Sequence, residues 1–175
     1  NDYAYSYDGF FVSRFYVTIK KHRFLKGADS MLIIAVDPGN EKTGIACLFY
    51  DGTLYEKKIV PSQTLEDALM AMVQRAQSDN HGVTHLVCGN GTNHKKLFTV
   101  VQRVAAKAQL PAALTDEAHT TEEARKRYWD YNPPKGLKRF VPRGMLYPPE
   151  PVDDFTAWII GERFLQKEGL YGSYV

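Results

Sequence analysis

Cysteine is scarce in this 175-residue chain: Cys47 and Cys88 sit in separate apolar runs and have no CxxC spacing. That removes the material for a disulfide framework or a structural zinc site, and buried free thiols are expected. No apolar stretch approaches the roughly 20 residues that cross a bilayer, so no membrane span is expected. The opening NDYAYSYDGF lacks the basic and apolar regions of a secretory signal. With the thiols, it points to a cytoplasmic protein. A strong charge of one sign is missing too, and a formal net charge of +2 is too small to name a partner. What is there is ordinary: 44% apolar and 24% charged residues, enough for one globular domain with a proper core.

The order of elements reads from periodicity. MLIIAVD, Met31 to Asp37, is a continuous apolar run stopped by an acid and Pro-Gly, the pattern of a covered central strand. Thr43 to Tyr50 and Leu54 to Val60 follow around the turn Asp51-Gly52, which predicts an antiparallel meander. Leu65, Leu69, Met72, Val73 and Ala76 repeat at helical spacing, with Thr64 and Asp67 as a capping box. Thr84 to Gly89 reads as a second buried strand, and Leu97 to Ala108 as an amphipathic helix. Ala112 to Glu117 predicts a short strand ending in acids. Thr120 and Glu123 predict a capped helix running to about Tyr131. A Pro/Gly-rich stretch intervenes before a last helix from Asp153 to about Gln166. The sum, β-β-β-α-β-α-β-α-loop-α, predicts an α/β fold: a mixed five-stranded sheet, three antiparallel strands then parallel ones, with helices on both faces. Residues 31–168 form the expected domain and 169–175 a tail. Residues 1–30 stand outside the pattern as an extra strand, a docking arm or a leftover segment.

Three acidic stations fall at ends of these elements: Asp37, Asp116-Glu117 and Asp153-Asp154. Strand ends in such sheets share an edge where ligands gather. Carboxylates brought together there repel, and hard divalent ions relieve the repulsion. Oxygen donors without His or Cys favour Mg²⁺ or Mn²⁺ over zinc. Each station also has a local explanation, because an acid before Pro-Gly suits a turn and an Asp at a helix start suits a cap. A cap accounts for one of Asp153 and Asp154, not both.

Basic residues cluster late. From Arg125 to Arg143 the chain has Arg125, Lys126, Arg127, Lys135, Lys138, Arg139 and Arg143 against Asp130, with Tyr128, Trp129, Tyr131 and Phe140 interleaved. Such a stretch suits phosphates and bases, and equally a solvated basic face. In GNGTNHKK, Asn93, Lys95 and Lys96 open a helix that either holds a phosphate or merely caps the turn. Lys42 and Thr43 lie similarly in the first turn. The histidines show no metal spacing; His119, beside Glu117, is the one placed for acid-base work.

DPGNEKTGIA, HLVCGNGTNHK, TDEAHTTEEARKRYW and PVDDFTAWIIGERFL, taken in order over Met31 to Lys167, resemble the RuvC/YqgF branch of the RNase H-like nucleases. The stretch ARKRYWDYNPPKGLKRFVP is similar to that of YqgF-like, Holliday-junction-resolvase-like proteins. The resemblance implies an RNase H-like fold and a two-metal nuclease site. Asp37, Glu117 and Asp153 would be its metal carboxylates, and Asp154 an alternate ligand. It implies branched DNA or precursor ribosomal RNA as substrate, and two copies of the chain for a symmetric junction. Two positions depart from it: the fourth strand ends without an acid, and Ala118 stands where an arginine is usual, leaving Arg125 as a substitute. A non-catalytic nucleic-acid-binding module is the competing expectation. An actin-like ATPase is disfavoured, because the chain is too short for a duplicated domain and its other glycine loop lacks an Asp.

Overall fold

β1 (Met31–Asp37) lies at the centre of the sheet because both of its faces are apolar. Leu32, Ile34 and Val36 enter the core on one side, while Ile33 and Ala35 enter the core on the other. The two-residue period of a strand therefore produces an unbroken apolar run. β2 (Lys42–Phe49) and β3 (Leu54–Pro61) extend the sheet antiparallel on one flank. β4 (Gly82–Gly89) and β5 (Ala112–Thr115) extend it in parallel on the other, giving the order β3-β2-β1-β4-β5. This computed structural model describes residues 31–91, 94–142 and 145–171, and of Lys138 the backbone alone. The expectations for residues 1–30, Asn93, Arg143 and the last four residues lie outside the described residues, as does the side chain of Lys138.

Helices cover both faces, as the alternation of strands and amphipathic segments predicts. α1 (Leu65–Ser78) and α2 (His94–Ala108) bury Leu65, Leu69, Met72, Val101 and Val104 against one face. α3 (Thr120–Tyr131) and α4 (Asp153–Lys167) close the other, with Trp158, Ile159 and Ile160 against Ala35, Ala46 and Leu48. The Trp158 indole donates to the Gly52 carbonyl at 3.0 Å, so a polar atom taken into the core keeps a partner. Both cysteines are buried and free, as expected. Among the described residues no helix is long and apolar enough to cross a membrane.

Neither predicted capping box forms. The Thr64 hydroxyl donates back to the Pro61 carbonyl at 2.9 Å, within a short turn of 3-10 helix, Ser62–Thr64. Thr120 is already inside α3, its hydroxyl donating to the Glu117 carbonyl at 2.7 Å, and left-handed His119 (φ 63°) precedes it. In each case a nearer carbonyl takes the hydroxyl proton. β5 also stops short of the expected acids. Asp116 accepts the Ala118 N–H at 3.2 Å, an Asx turn that ends the strand at Thr115 and throws Glu117 into the following loop.

Candidate carboxylate site

Sheet register brings the first acid to the edge. Asp37 ends β1 opposite Gly44 of β2. Gly44 matters because a β-carbon there would overlap the Asp153 carbonyl; its absence lets the first turn of α4 rest on the sheet. On the other flank, the Asn90 N–H donates to the Thr115 carbonyl at 3.0 Å, and the Asn90 side chain accepts the Glu117 N–H at 3.3 Å. Thr120 grips the Glu117 carbonyl from the far side, through its N–H at 3.1 Å and its hydroxyl. Three remote segments are thus tied to one sheet edge.

Electrostatics reports how the acids face one another. The Asp37 carboxyl is pushed up to about 7, first by burial, then by the negative charges of Glu117 and Asp153; a hydrogen bond from Thr156 works the other way. Glu117 is raised as well, chiefly by burial, against the Gly91 N–H and the nearby His94. Its Oε2 is buried and has no hydrogen-bond partner. β-Carbons at Gly89 or Gly91 would overlap its carboxylate, so Glu117 lies on a shelf that only glycine leaves open. Asp153 is raised by burial and by Asp154, with its own N–H and Lys42 opposing. The Cys88 thiol beneath is pushed up to about 12 by burial, then by Glu117 and Asp37.

Asp154 stands apart. It pairs with Lys57 of β3, whose ammonium also lies 3.8 Å from the centroid of the Phe155 ring, and it accepts the Phe155 N–H at 2.9 Å. The doubled aspartate thus divides its work: Asp153 faces Asp37 and Lys42, while Asp154 fastens α4 to β3. Asp154, expected as an alternate ligand, is thus placed in an ion pair with Lys57. Among the described residues, no three His, Cys, Asp or Glu side chains converge on a single point that could hold a metal ion.

The cationic candidates fall into groups. Lys42 is exposed beside Asp153, and Lys95 and Lys96 are exposed in the first turn of α2. Lys135 and Arg139 are exposed in the segment between α3 and α4. Thr43 is a correction: it is fully buried, with its hydroxyl 2.8 Å from the Ser62 hydroxyl, so it joins β2 to the turn after β3 and offers nothing to a phosphate. The guanidinium near position 118 comes from α4, where Arg163 donates to the Ala118 carbonyl at 2.6 Å and to Glu123 at 3.2 Å. Arg125 lies instead over the Tyr147 ring, 5.4 Å from its centroid.

His94, rather than His119, is the histidine beside the acids. Its Nδ1 lies 2.5 Å from the Gly91 carbonyl, and the ring faces Glu117. His119 is exposed at the start of α3. Asn90, which holds the Glu117 N–H, carries no periodic or spacing signal, and the spacing of Thr120 signalled a helix cap and not its grip on the Glu117 carbonyl. An Asn directly after a strand is the one local hint.

No protein-family model matches the chain, and no curated protein does. Solved structures do. The structure of Thermus thermophilus RuvC superposes with a TM-score of 0.50 at 14% identity, covering 80% of this chain and 98% of that one. The same organism's RuvC in complex with Holliday junction substrate gives 0.48 at 14% identity, covering 80% and 97%. A ROK family glucokinase from Streptomyces griseus gives 0.37 at 21% identity, covering 55% and 36%. The first of these three reaches 0.5, and at that identity it speaks to fold alone. The chain has the mixed five-stranded sheet that its order of strands and helices predicts, and with it the RNase H-like fold that the resemblance of its motifs implies.

Proposed function

We propose that this protein is a divalent-metal-dependent endonuclease acting on structured nucleic acid, with Asp37, Glu117 and Asp153 as its metal carboxylates. The observation that carries the reading is that Asp37, Glu117 and Asp153 are tied to one sheet edge, where burial and the charges of the other two raise the Asp37 carboxyl. Three half-buried acids at one sheet edge are unfavourable alone and favourable around cations. The donor set fits Mg²⁺ or Mn²⁺: it is all oxygen, and one buried carboxylate oxygen lacks any partner. Asp37, Glu117 and Asp153 would hold the ions.

Bound Mg²⁺ or Mn²⁺ supplies Lewis acidity for phosphodiester hydrolysis. The chain's own residues do the rest. Thr156 lies beside Asp37 and favours its charged form. The Gly89 to Gly91 shelf holds Glu117, because a β-carbon at either glycine would overlap its carboxylate. Lys42 offers positive charge to the phosphate at Asp153. Lys95, Lys96, Lys135 and Arg139 supply exposed cations for the flanking backbone. Within this reading the YqgF-like branch, a cytoplasmic location, and branched DNA or precursor ribosomal RNA as substrate are proposals resting on the resemblance of motifs. So is a homodimer, which a symmetric four-way junction calls for.

A second reading, a nucleic-acid-binding module with a degenerate site, is favoured by the lack of a three-residue metal group among the described residues and by Ala118. Incubation of the purified protein with four-way junction DNA and with structured precursor RNA, with and without Mg²⁺, separates the two. Metal-dependent cleavage that Asp37→Asn abolishes supports the nuclease. Binding without cleavage supports the module. Neither binding nor cleavage removes both.

A further inference from the structure

The segment between α3 and α4 is the place where the sequence looks most like loop, yet part of it is firmly built. The Trp129 indole donates to the Leu146 carbonyl at 3.1 Å, and Leu146 packs on the core. Val152 packs on the same core. Between these two anchors run Tyr147 to Pro151, with prolines at 148, 149 and 151 restricting the backbone. Tyr147 lies outside the packing, with 76% of its surface exposed. A fixed aromatic ring that contributes nothing to the core is available for a ligand.

A cleft of about 180 Å³ opens beside it, lined by Arg125, Tyr147, Pro148, Glu150, Pro151 and Val152. Its last lining residue immediately precedes Asp153. The Arg125 guanidinium lies over the Tyr147 ring. Ring, guanidinium and proline edges form flat, weakly hydrated surfaces, and Glu150 offers an acceptor for an exocyclic amine. A bare phosphate fits poorly here, because Glu150 repels it. A planar heterocycle carrying N–H donors fits well. The surrounding segment from Asn132 to Pro151 has Lys135, Lys138, Arg139 and Arg143 against Glu150 alone, a charge balance that suits a polyanion.

We propose that this cleft receives one unpaired nucleobase of the substrate strand, stacked against Tyr147 with Arg125 beside it, next to the phosphodiester held at Asp153. The inference rests on the nucleic-acid reading above and deepens it: the preferred substrate has an unstacked nucleotide at the cleavage position, as at a branch point or in a loop, rather than a continuous duplex. Stacking of a base on an aromatic ring typically strengthens binding by about five- to a hundredfold, and the exposed position of Tyr147 leaves the fold independent of it.

The test measures binding in EDTA, by fluorescence anisotropy, of a single-stranded oligonucleotide and a blunt duplex of the same sequence. Wild type, Tyr147→Ala, Tyr147→Phe and Arg125→Ala are compared, with thermal melts to verify folding. A strand carrying 2-aminopurine reports stacking by quenching of its emission. Expected is a loss of about tenfold for single strands in Tyr147→Ala, with quenching lost, retention in Tyr147→Phe, and unchanged duplex binding. Equal single-strand affinity and quenching in wild type and Tyr147→Ala overturns the cleft while leaving the nuclease reading standing. An equal loss for strand and duplex also overturns it, since that marks a backbone contact. A wild type that does not bind the single strand overturns the cleft as well, while the nuclease reading stands or falls on the cleavage assay with junction DNA and structured RNA.

Discussion

Replacing Asp37 with Asn should make the metal-free protein more stable at alkaline pH, an unusual direction for a substitution at the edge of a core. A carboxyl that titrates at about 7 instead of its ordinary 3.8 carries a penalty on its charged form of about 4 kcal/mol. The group is partly exposed, and solvent screens the repulsive share, so about 2–4 kcal/mol is expected at the bench. The sign follows from proton linkage. Below the ordinary value both folded and unfolded carboxyls are protonated and no penalty exists. Between 3.8 and about 7 the unfolded chain releases its proton first, so stability falls as pH rises. Above about 7 the full penalty is present. Glu117 and Asp153, also raised, act in the same direction. The assay is thermal unfolding in EDTA at pH 5.5 and 8.5 for wild type and Asp37→Asn. The variant should gain about 6–12 °C over wild type at the higher pH and about half as much at the lower. No gain at pH 8.5, or a gain that does not depend on pH, would refute the reasoning, because Asp37 would then carry no penalty on its charged form from burial and its acidic neighbours.

Three further outcomes follow from other contacts. Gly91→Ala should displace the Glu117 carboxylate from its shelf, abolishing any stabilisation by added Mg²⁺ or Mn²⁺ in melts while changing metal-free stability by about 1 kcal/mol at most. Lys57→Met should cost about 1–3 kcal/mol in urea unfolding by stranding Asp154, whose side chain is 13% exposed; the double variant Lys57→Met with Asp154→Leu should recover most of that loss. Cys47 and Cys88, both raised by burial, should react with an aromatic disulfide reagent only as fast as the protein unfolds, giving a rate set by denaturant concentration and not by reagent.

The readings that held are those with local causes. β1 shows in the sequence because both of its faces are buried, and the meander because Asp51-Gly52 breaks two strand-like runs. The readings that failed concern hydroxyl partners. Thr64 and Thr120 have the spacing of capping boxes, yet each has a carbonyl three residues back that it reaches first. Thr43 was placed with Lys42 because they are neighbours in sequence. In a strand neighbours point to opposite faces, and Thr43 went inward.

Sequence alone determined the strands, the helices and the three acidic positions, since hydrophobic period and turn chemistry act over a few residues. Tertiary structure alone decided which acids meet. Asp153 and Asp154 are indistinguishable as letters, and about 100° of helical rotation, with the approach of α4 over Gly44, sends one to Asp37 and the other to Lys57. His94 over His119, Arg163 at Ala118, and Tyr147 held outside the core by Trp129 were likewise set by packing between segments far apart in the chain. Such pairings depend on register and crossing geometry, quantities to which no local pattern of residues corresponds.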